Sequence, residues 1–268
     1  AEVKTQVVAE GCPAAGAAPL PEALLAALDP QQGFLARSVL ALGLDTLRLM
    51  MHGQRIAIVG VGGLGSIIAE NLIHTGFHAL DLIDPDRVET TNLNRIVGAY
   101  HQDALDKRLK VEVVRDHLMR INPQAQVAAY PCGVEDDGVL PVLAGADWIL
   151  LATDSQYSRF KAQEIALRYA VPLISSGVNI SVEGGRITDM SGEVIVVRCG
   201  DGLCLNCLGR INPTLVAAEQ HKDGFLGQEL IRRGYVDGLE VKEPAVKTLN
   251  AILGALTVDA LVNQITER

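Results

Sequence analysis

Apolar residues recur along this chain in short runs, separated by longer stretches in which they lie three and four positions apart. Short runs bounded by turn-forming residues are typical of buried strands, whereas the three-and-four spacing predicts helices. Strands are predicted at 55–60, 79–84, 126–131, 147–152 and 172–176, with helices at 64–76, 103–121, 135–144 and 155–170. This alternation predicts an α/β fold, a Rossmann-like and mostly parallel sheet with helices on both faces.

The pattern changes after Ser176. Short segments with strand character follow, separated by the pairs Gly184-Gly185 and Ser191-Gly192, which are typical of turns. We therefore predict additional C-terminal antiparallel strands at 178–183, 185–190 and 193–197.

Two further features are predicted beyond these strands. Residues 198–244 are rich in glycine and in charge, which indicates a crossover loop with short helices. The apolar segment from Glu243 to Ile265 has Pro244 near its start and predicts a closing helix.

The N-terminal part of the chain has a different composition. Residues 1–33 are rich in Ala and Pro and predict an N-terminal arm or linker with one short helix from Pro21. Helical spacing predicts a helix over 34–51, before the first strand. The predicted domain therefore occupies residues 34–268.

Composition narrows the functions that this fold could serve. A chain of 268 residues that is 49% hydrophobic can bury the core of one large α/β domain. Its net charge of −9 argues against nucleic acid as a partner. No uninterrupted apolar stretch is long enough to span a membrane, and the start of the chain does not resemble a signal peptide. Five cysteines without disulfide-scaffold spacing indicate reduced thiols, so we expect a cytoplasmic protein.

A glycine-rich turn follows the first predicted strand. Its glycines allow a sharp turn and let a phosphate group and a helix approach the backbone closely; they are Gly60, Gly62, Gly63 and Gly65. A phosphate would then lie over the N-terminus of the next helix, where free N–H groups and the helix dipole favour an anion. The turn alone fits NAD, FAD or ATP.

The residues after the second strand distinguish these ligands. Asp84 ends that strand, and Asp86, Asn92, Asn94 and Arg95 follow it closely. A dehydrogenase has no obvious use for an arginine at this place, whereas an enzyme that binds a nucleoside triphosphate does.

Together these segments resemble the ThiF/MoeB/HesA family, the ubiquitin-activating-type adenylating enzymes. The resemblance runs from about Phe34 to Gln264, so the predicted domain is identified as a ThiF-type adenylation domain. It depends on the order and spacing of separated motifs; they are the glycine turn, Asp84-Pro-Asp86, Asn92-Leu-Asn-Arg95, Ala152-Thr-Asp154 and the closing helix.

The resemblance implies a reaction and the residues that perform it. Family members use ATP and magnesium to adenylate the C-terminal glycine carboxylate of a ubiquitin-like or sulfur-carrier protein, with release of pyrophosphate. Asp84 would accept hydrogen bonds from the ribose hydroxyls. Arg95 and Lys110 would neutralise the triphosphate, and the spacing from Arg95 leaves Lys107 as an alternative to Lys110.

Two more residues take roles from the resemblance. Asp154 would be the magnesium ligand, with a helix N-cap as the alternative interpretation, and Arg159 falls where the family often has an arginine. Arg37 would reach from the helix before the first strand into the ATP site of a neighbouring protomer, with an ordinary surface arginine as the alternative. The role in a neighbouring protomer implies a homodimer.

The pair Cys204 and Cys207 departs from the family pattern. It matches the first half of a four-cysteine zinc site, but no cysteine follows Cys207 in this sequence, and a tetrahedral site needs four ligands. Cys199 and His221 could complete a zinc site, or the pair could be a relic of one. The same lack of later cysteines leaves a thioester-forming residue unassigned.

The segments 204–213 and 233–244 resemble those of bacterial members encoded with ubiquitin-like modifiers, conjugating-enzyme-like proteins or deubiquitinase-like peptidases. Our main prediction is therefore the activation of a ubiquitin-like protein for conjugation, together with a conjugating-enzyme-like partner. The alternatives within the same chemistry are a sulfur-carrier activator for thiamine or molybdopterin synthesis and a small-peptide or tRNA-modifying relative. An NAD-dependent oxidoreductase and a non-catalytic subunit are the alternatives outside it.

Overall fold

The strands form one sheet whose order creates a crevice at its centre. The computed structural model describes residues 22–29, 31–183, 186–221 and 246–267. The strands are β1 (Arg55–Val59), β2 (Ala79–Ile83), β3 (Gln126–Tyr130), β4 (Trp148–Leu151), β5 (Leu173–Glu183) and β6 (Arg186–Val197). Their order is β3-β2-β1-β4-β5-β6, with β6 antiparallel to β5 and the other pairs parallel. In a Rossmann-like sheet of this order, ligands bind at the carboxyl ends of β1 and β4, where the strand order reverses.

Helices cover both faces of the sheet. They are α1 (Glu22–Ala27), α2 (Ala36–Leu42), α3 (Leu44–His52), α4 (Gly63–Thr75), α5 (His101–Leu105), α6 (Lys110–Ile121), α7 (Leu140–Ala144), α8 (Gln156–Arg168), α9 (Pro213–Gln220) and α10 (Lys247–Thr266). Alternate residues of β1 enter different cores, since Ile56 and Ile58 pack with α3, α4, α6 and α10, while Ala57 and Val59 pack with α7 and α8. The predicted α/β architecture is confirmed.

Two predicted helices are each divided in two. The helix over 34–51 breaks at Gly43, whose φ of 84° separates α2 from α3. The helix over 103–121 breaks between α5 and α6, because this stretch pairs with residues 86–88 instead. The N–H of Val88 donates to the carbonyl of Arg108 at 2.8 Å, and the N–H of Lys110 donates to the carbonyl of Asp86 at 3.0 Å.

The helix predicted over 135–144 is shorter in the structure. Only α7 is helical there. The preceding residues form turns, in which the Asp136 carboxylate accepts a hydrogen bond from the N–H of Gly138 at 2.9 Å.

Two long strands, β5 and β6, take the place of the three short C-terminal strands that the sequence predicted. β5 continues from the fifth parallel strand through residue 183, and Ser191 and Gly192 lie inside β6, paired with Asn179 and Val178. Gly192 is needed for close packing and not for a turn, since a Cβ built on it would lie 2.6 Å from Cδ2 of Leu253. The predicted turn at residues 184–185 lies outside the described residues.

The closing helix α10 packs on α4, β5 and β6. A Cβ built on Gly254 would lie 2.6 Å from Cγ2 of Ile67, so the glycine permits a close helix–helix contact. Among the described helices, α10 has the length and composition of a possible membrane span, and one side of it is buried in this fold. The predicted start of this helix at Glu243 lies outside the described residues.

The termini of the domain are partly described. The helix predicted from Pro21 is present as α1, and Leu28 just after it is buried in the larger core. The division of the chain at residue 33 remains a prediction. Of the predicted crossover loop, α9 is described, whereas residues 222–245 lie outside the described part of the chain.

Candidate nucleotide-binding site

The glycine turn between β1 and α4 lies against the end of β4. Gly60 has a φ of 88°, and a Cβ built on it would lie 2.9 Å from the carbonyl carbon and oxygen of Ala152. Gly65 packs directly on the Gly60 carbonyl, and no atom lies within 4 Å of a Cβ built on Gly62. Glycine is therefore required where the turn touches β4, and α4 begins at Gly63 with its free N–H groups at the carboxyl edge of the sheet.

Asp84 links the ends of β1 and β2. One carboxylate oxygen accepts the N–H of Val61 at 2.7 Å and the other accepts the N–H of Asp86 at 2.9 Å. Burial raises the pKa of Asp84, and the nearby Lys110 cation and the two N–H donors oppose that rise. Each oxygen keeps a second lone pair, so the geometry is compatible with the predicted contact to ribose hydroxyls.

The structure distinguishes the two candidate lysines. Nζ of Lys110 lies 2.7 Å from Oδ2 of Asp86, and only 12% of the Lys110 side chain is exposed. The pairing of residues 86–88 with 108–110 holds this lysine beside Asp84. Lys107 is exposed in the turn before α6, where its φ is 48° and its carbonyl accepts a hydrogen bond from Arg87 at 2.8 Å. The geometry therefore favours Lys110 as the cation of this site.

Arg95 also lies at the glycine turn. A Cβ built on Gly63 would lie 2.9 Å from Cδ of Arg95. The guanidinium donates through Nη1 to the carbonyl of Thr91 at 2.7 Å and to the side chain of Asn94 at 3.2 Å. Asn92 is buried, and its side chain accepts the N–H of Glu89 at 3.1 Å, so it shapes the loop that carries Arg95.

Asp154 follows β4 at the same edge of the sheet. The N-cap of α8 is Ser155, whose hydroxyl accepts the N–H of Ser158 at 3.1 Å, so the alternative interpretation of Asp154 as the N-cap is wrong. Asp154 is exposed. A single exposed carboxylate suits Mg²⁺, which takes most of its other ligands from water and phosphate oxygens. Arg159 donates through Nε to the carbonyl of Thr153 at 3.1 Å and so supports this turn.

Glu219 of α9 is a further residue of the site that the sequence did not reveal. Its carboxylate accepts the hydroxyl of Ser155 at 2.7 Å and the N–H groups of Gln156 and Tyr157 at 3.1 and 2.8 Å. A carboxylate is favoured at a helix N-terminus by the unpaired N–H groups and the dipole. Glu219 therefore holds the start of α8, directly after Asp154.

Arg37 is not brought to these residues within one chain. It is exposed on α2, whose Ser38 and Leu42 line a cavity with Asn71 and His74 near the end of α4. The glycine turn is at the other end of α4, a helix of 13 residues and about 20 Å.

The two thiols of the Cys204–Cys207 pair lie 3.4 Å apart. Hydrogen bonding from the backbone of Cys207 lowers the pKa of Cys204. Across the described residues no three His, Cys, Asp or Glu side chains are grouped to hold a metal, so Cys199 and His221 do not complete a zinc site.

The comparison with protein families agrees with this geometry. The model of the ThiF family matches residues 36–268. The chain belongs to the ThiF family. The match covers α2 to the end of the chain and so includes every residue of the site described above.

Curated relatives are similar over much of the chain. It is 28% identical over 210 residues to the adenylyltransferase and sulfurtransferase UBA4 of Saccharomyces cerevisiae, covering 78% of this chain and 44% of the relative. It is 33% identical over 162 residues to the molybdopterin-synthase adenylyltransferase of Salmonella typhimurium, covering 60% of this chain and 61% of the relative. The chain thus spans less than half the length of UBA4.

Solved structures share the fold. The structure of E. coli MccB with AMPCPP and selenomethionine MccA superimposes with a TM-score of 0.66 at 18% identity, covering 88% of this chain and 64% of that one. The E. coli tRNA N6-threonylcarbamoyladenosine dehydratase TcdA gives 0.60 at 22% identity, covering 87% and 94%. At these identities the likeness establishes the ThiF-type Rossmann-like fold alone.

The position of the two lysines predicts different effects of their removal. We expect Lys110→Ala to weaken Mg·ATP binding about ten-fold, since it removes a charge-assisted contact to phosphate. Lys107→Ala is expected to have the smaller effect because the Lys107 side chain is exposed to solvent. Calorimetric titration with Mg·ATP measures the Kd of both variants. Thermal unfolding without ATP measures the stability that is lost with the ion pair between Lys110 and Asp86, separately from the loss of a phosphate contact. A larger loss in Lys107→Ala would contradict this assignment.

The contact between α9 and α8 predicts a change in stability. Glu219→Gln turns an amide NH₂ group toward the N–H donors of α8, so we expect the free energy of unfolding to fall by about 1–3 kcal/mol. The matched control is Glu164→Gln, a half-buried carboxylate on α8 whose ion pairs are with Lys161 and Arg168, for which we expect a change below about 0.5 kcal/mol. Urea unfolding of the two variants tests this, and equal changes would mean that Glu219 does not hold α8.

Proposed function

We propose that this chain adenylates the C-terminal carboxylate of a small protein that ends in glycine, using ATP and magnesium and releasing pyrophosphate. The observation that carries the proposal is the convergence of Asp84, Arg95, Lys110 and Asp154 on the glycine turn at one edge of the sheet. Membership of the ThiF family supports it, and so do the adenylyltransferase names of UBA4 and of the Salmonella relative.

The arrangement of charges suits this reaction. A carboxylate oxygen of the acyl substrate attacks the α-phosphorus of ATP, a bond to phosphorus forms, and the bond to the pyrophosphate oxygen breaks. Negative charge grows on the phosphate oxygens and on the leaving pyrophosphate. Lys110 and Arg95 are the cations near the glycine turn that would stabilise this charge. Magnesium, held by Asp154, would neutralise phosphate charge and bring the nucleotide toward the incoming carboxylate.

Among possible substrates we favour a sulfur-carrier protein. The name of UBA4 includes a sulfurtransferase and that of the Salmonella relative includes molybdopterin synthase. These names support the alternative in the sequence analysis better than activation for conjugation with a conjugating-enzyme-like partner. A nicotinamide-dependent oxidoreductase would leave Arg95 and Asp154 without a role.

We also propose that the active unit is a homodimer in which Arg37 completes the ATP site of the partner. Arg37 is exposed, and its own glycine turn lies at the far end of α4. Large apolar side chains are exposed on α2, which carries Arg37, and on α10; they include Leu40 at 70%, Ile252 at 59% and Leu256 at 52%. A second copy of the chain would remove such side chains from water at a gain of about 25 cal/mol per Å².

Pyrophosphate exchange tests the proposed activity. We expect label from pyrophosphate to enter ATP only when magnesium and a sulfur-carrier or ubiquitin-like protein with an intact terminal glycine are present. Asp154→Asn and Arg95→Ala should each lower the rate by about a hundred-fold or more. The matched control is Asp147→Asn, an exposed carboxylate at the opposite end of β4, which should exchange at the normal rate.

Partner preference separates the two substrate classes. Faster exchange with the sulfur carrier supports the proposal. Faster exchange with the ubiquitin-like protein contradicts it and supports activation for conjugation, the main prediction from the sequence. Absence of magnesium-dependent exchange with both would overturn adenylation itself.

Mixing inactive variants tests the role of Arg37. Arg37→Ala and Asp154→Asn should each be inactive alone, yet an equal mixture should recover about a quarter of the wild-type rate, because half of the dimers contain one intact site. The control mixture of Asp154→Asn with Arg95→Ala should recover nothing, since both residues belong to the same chain's site. The exchange rate after subunit mixing is the measurement. Equal rates in the two mixtures would exclude a shared site.

A further inference from the structure

Asn250 of α10 is a buried polar residue that the fold does not explain. Only 3% of it is exposed, and within the described residues its side-chain oxygen Oδ1 is fully enclosed without a hydrogen-bond partner. A buried acceptor left in this state costs about 1–3 kcal/mol. Such an atom in a native fold calls for an explanation.

The side chain of Asn250 lies at the glycine turn. A Cβ built on Gly63 would lie 2.7 Å from Nδ2 of Asn250 and 2.9 Å from Cδ of Arg95. The two side chains therefore meet over the first residue of α4, in space that only a glycine leaves free. The closing helix thus brings the Asn250 amide beside the arginine assigned to the nucleotide, with Nδ2 as the nearer atom and Oδ1 as the atom without a partner.

The guanidinium of Arg95 is at present directed to its own loop. Its Nη1 donates to the carbonyl of Thr91 and to the side chain of Asn94. To neutralise a phosphate at the N-terminus of α4, the Arg95 guanidinium has to rotate away from its own loop. In that position a hydrogen-bond acceptor would fix the orientation of the guanidinium plane. A neutral amide oxygen can do so without cancelling the positive charge, whereas a carboxylate would cancel it.

We propose that Asn250 is a positioning residue of the nucleotide site, whose amide turns about the Cβ–Cγ bond so that Oδ1 accepts a hydrogen bond from Arg95 when Arg95 contacts the phosphates of ATP. The inference rests on the proposed function and adds to it a residue from the C-terminal helix. It explains both the enclosed oxygen and the glycine at position 63. It also means that α10 takes part in nucleotide binding as well as in the core.

Binding of Mg·ATP and of AMP to the full chain tests the proposal without any protein substrate. Asn250→Leu keeps the approximate volume and removes the acceptor. We expect it to raise the Kd of ATP about ten-fold, as for a lost hydrogen bond to a charged group, and to change that of AMP less than about two-fold. In the Arg95→Ala background the same substitution should have no further effect on ATP.

The matched control is Thr257→Val, which removes a buried hydroxyl from the same helix. Its hydroxyl contacts Ser176 at 2.6 Å, about two helical turns along α10 from Asn250, so it should lower stability while its effect on ATP binding adds to that of Arg95→Ala. If Asn250→Leu does not fold, Asn250→Ala is measured in the same way. Equal weakening of ATP and AMP, or additivity with Arg95→Ala, would overturn the role of Asn250. Failure of the wild type to bind ATP would instead overturn the proposed function.

Discussion

The site depends on the close approach of two backbone segments, the turn after β1 and the end of β4. Gly60 lies against Ala152, and Gly65 lies against the Gly60 carbonyl. Both contacts are so close that a Cβ atom at either glycine would clash. This contact places the N-terminus of α4 beside the ends of β2 and β4. Asp84 and Asp154 therefore lie on either side of one helix N-terminus. A single added methyl group would separate these elements before any catalytic residue was changed.

Cations in this site have modest partners that phosphate can replace. Lys110 pairs with Asp86, whose side chain is 63% exposed, and Arg95 donates to a backbone carbonyl. The Asp86 end of this ion pair is open to water, so a nucleotide phosphate could replace it as the partner of Lys110. Asp84, in contrast, is buried, and its two N–H contacts are part of the fold. The Asp84 carboxylate is thus held by the fold, whereas Lys110 and Arg95 have partners that a bound phosphate could replace.

Residues from the C-terminal part of the domain complete this site. Glu219 binds the first N–H groups of α8, next to Asp154, and Asn250 lies over Gly63 beside Arg95. Both come from helices that follow the antiparallel hairpin, outside the nucleotide-binding βαβ pattern. The C-terminal part of the domain therefore supports the candidate nucleotide site at two places, beside Asp154 and beside Arg95.

The sequence by itself determined the order of strands and helices, the glycine turn and the family, because these depend on the spacing of neighbouring residues. It missed the break at Lys107 and placed a turn at Ser191 and Gly192, since the pairing of one segment with residues 86–88 and of the other with β5 decides these conformations. Only the tertiary structure favoured Lys110 over Lys107 and revealed Glu219 and Asn250. The partners of Glu219 and Asn250 lie between about 60 and 190 residues away in the chain, and local periodicity carries no information about contacts that form only when distant segments pack together.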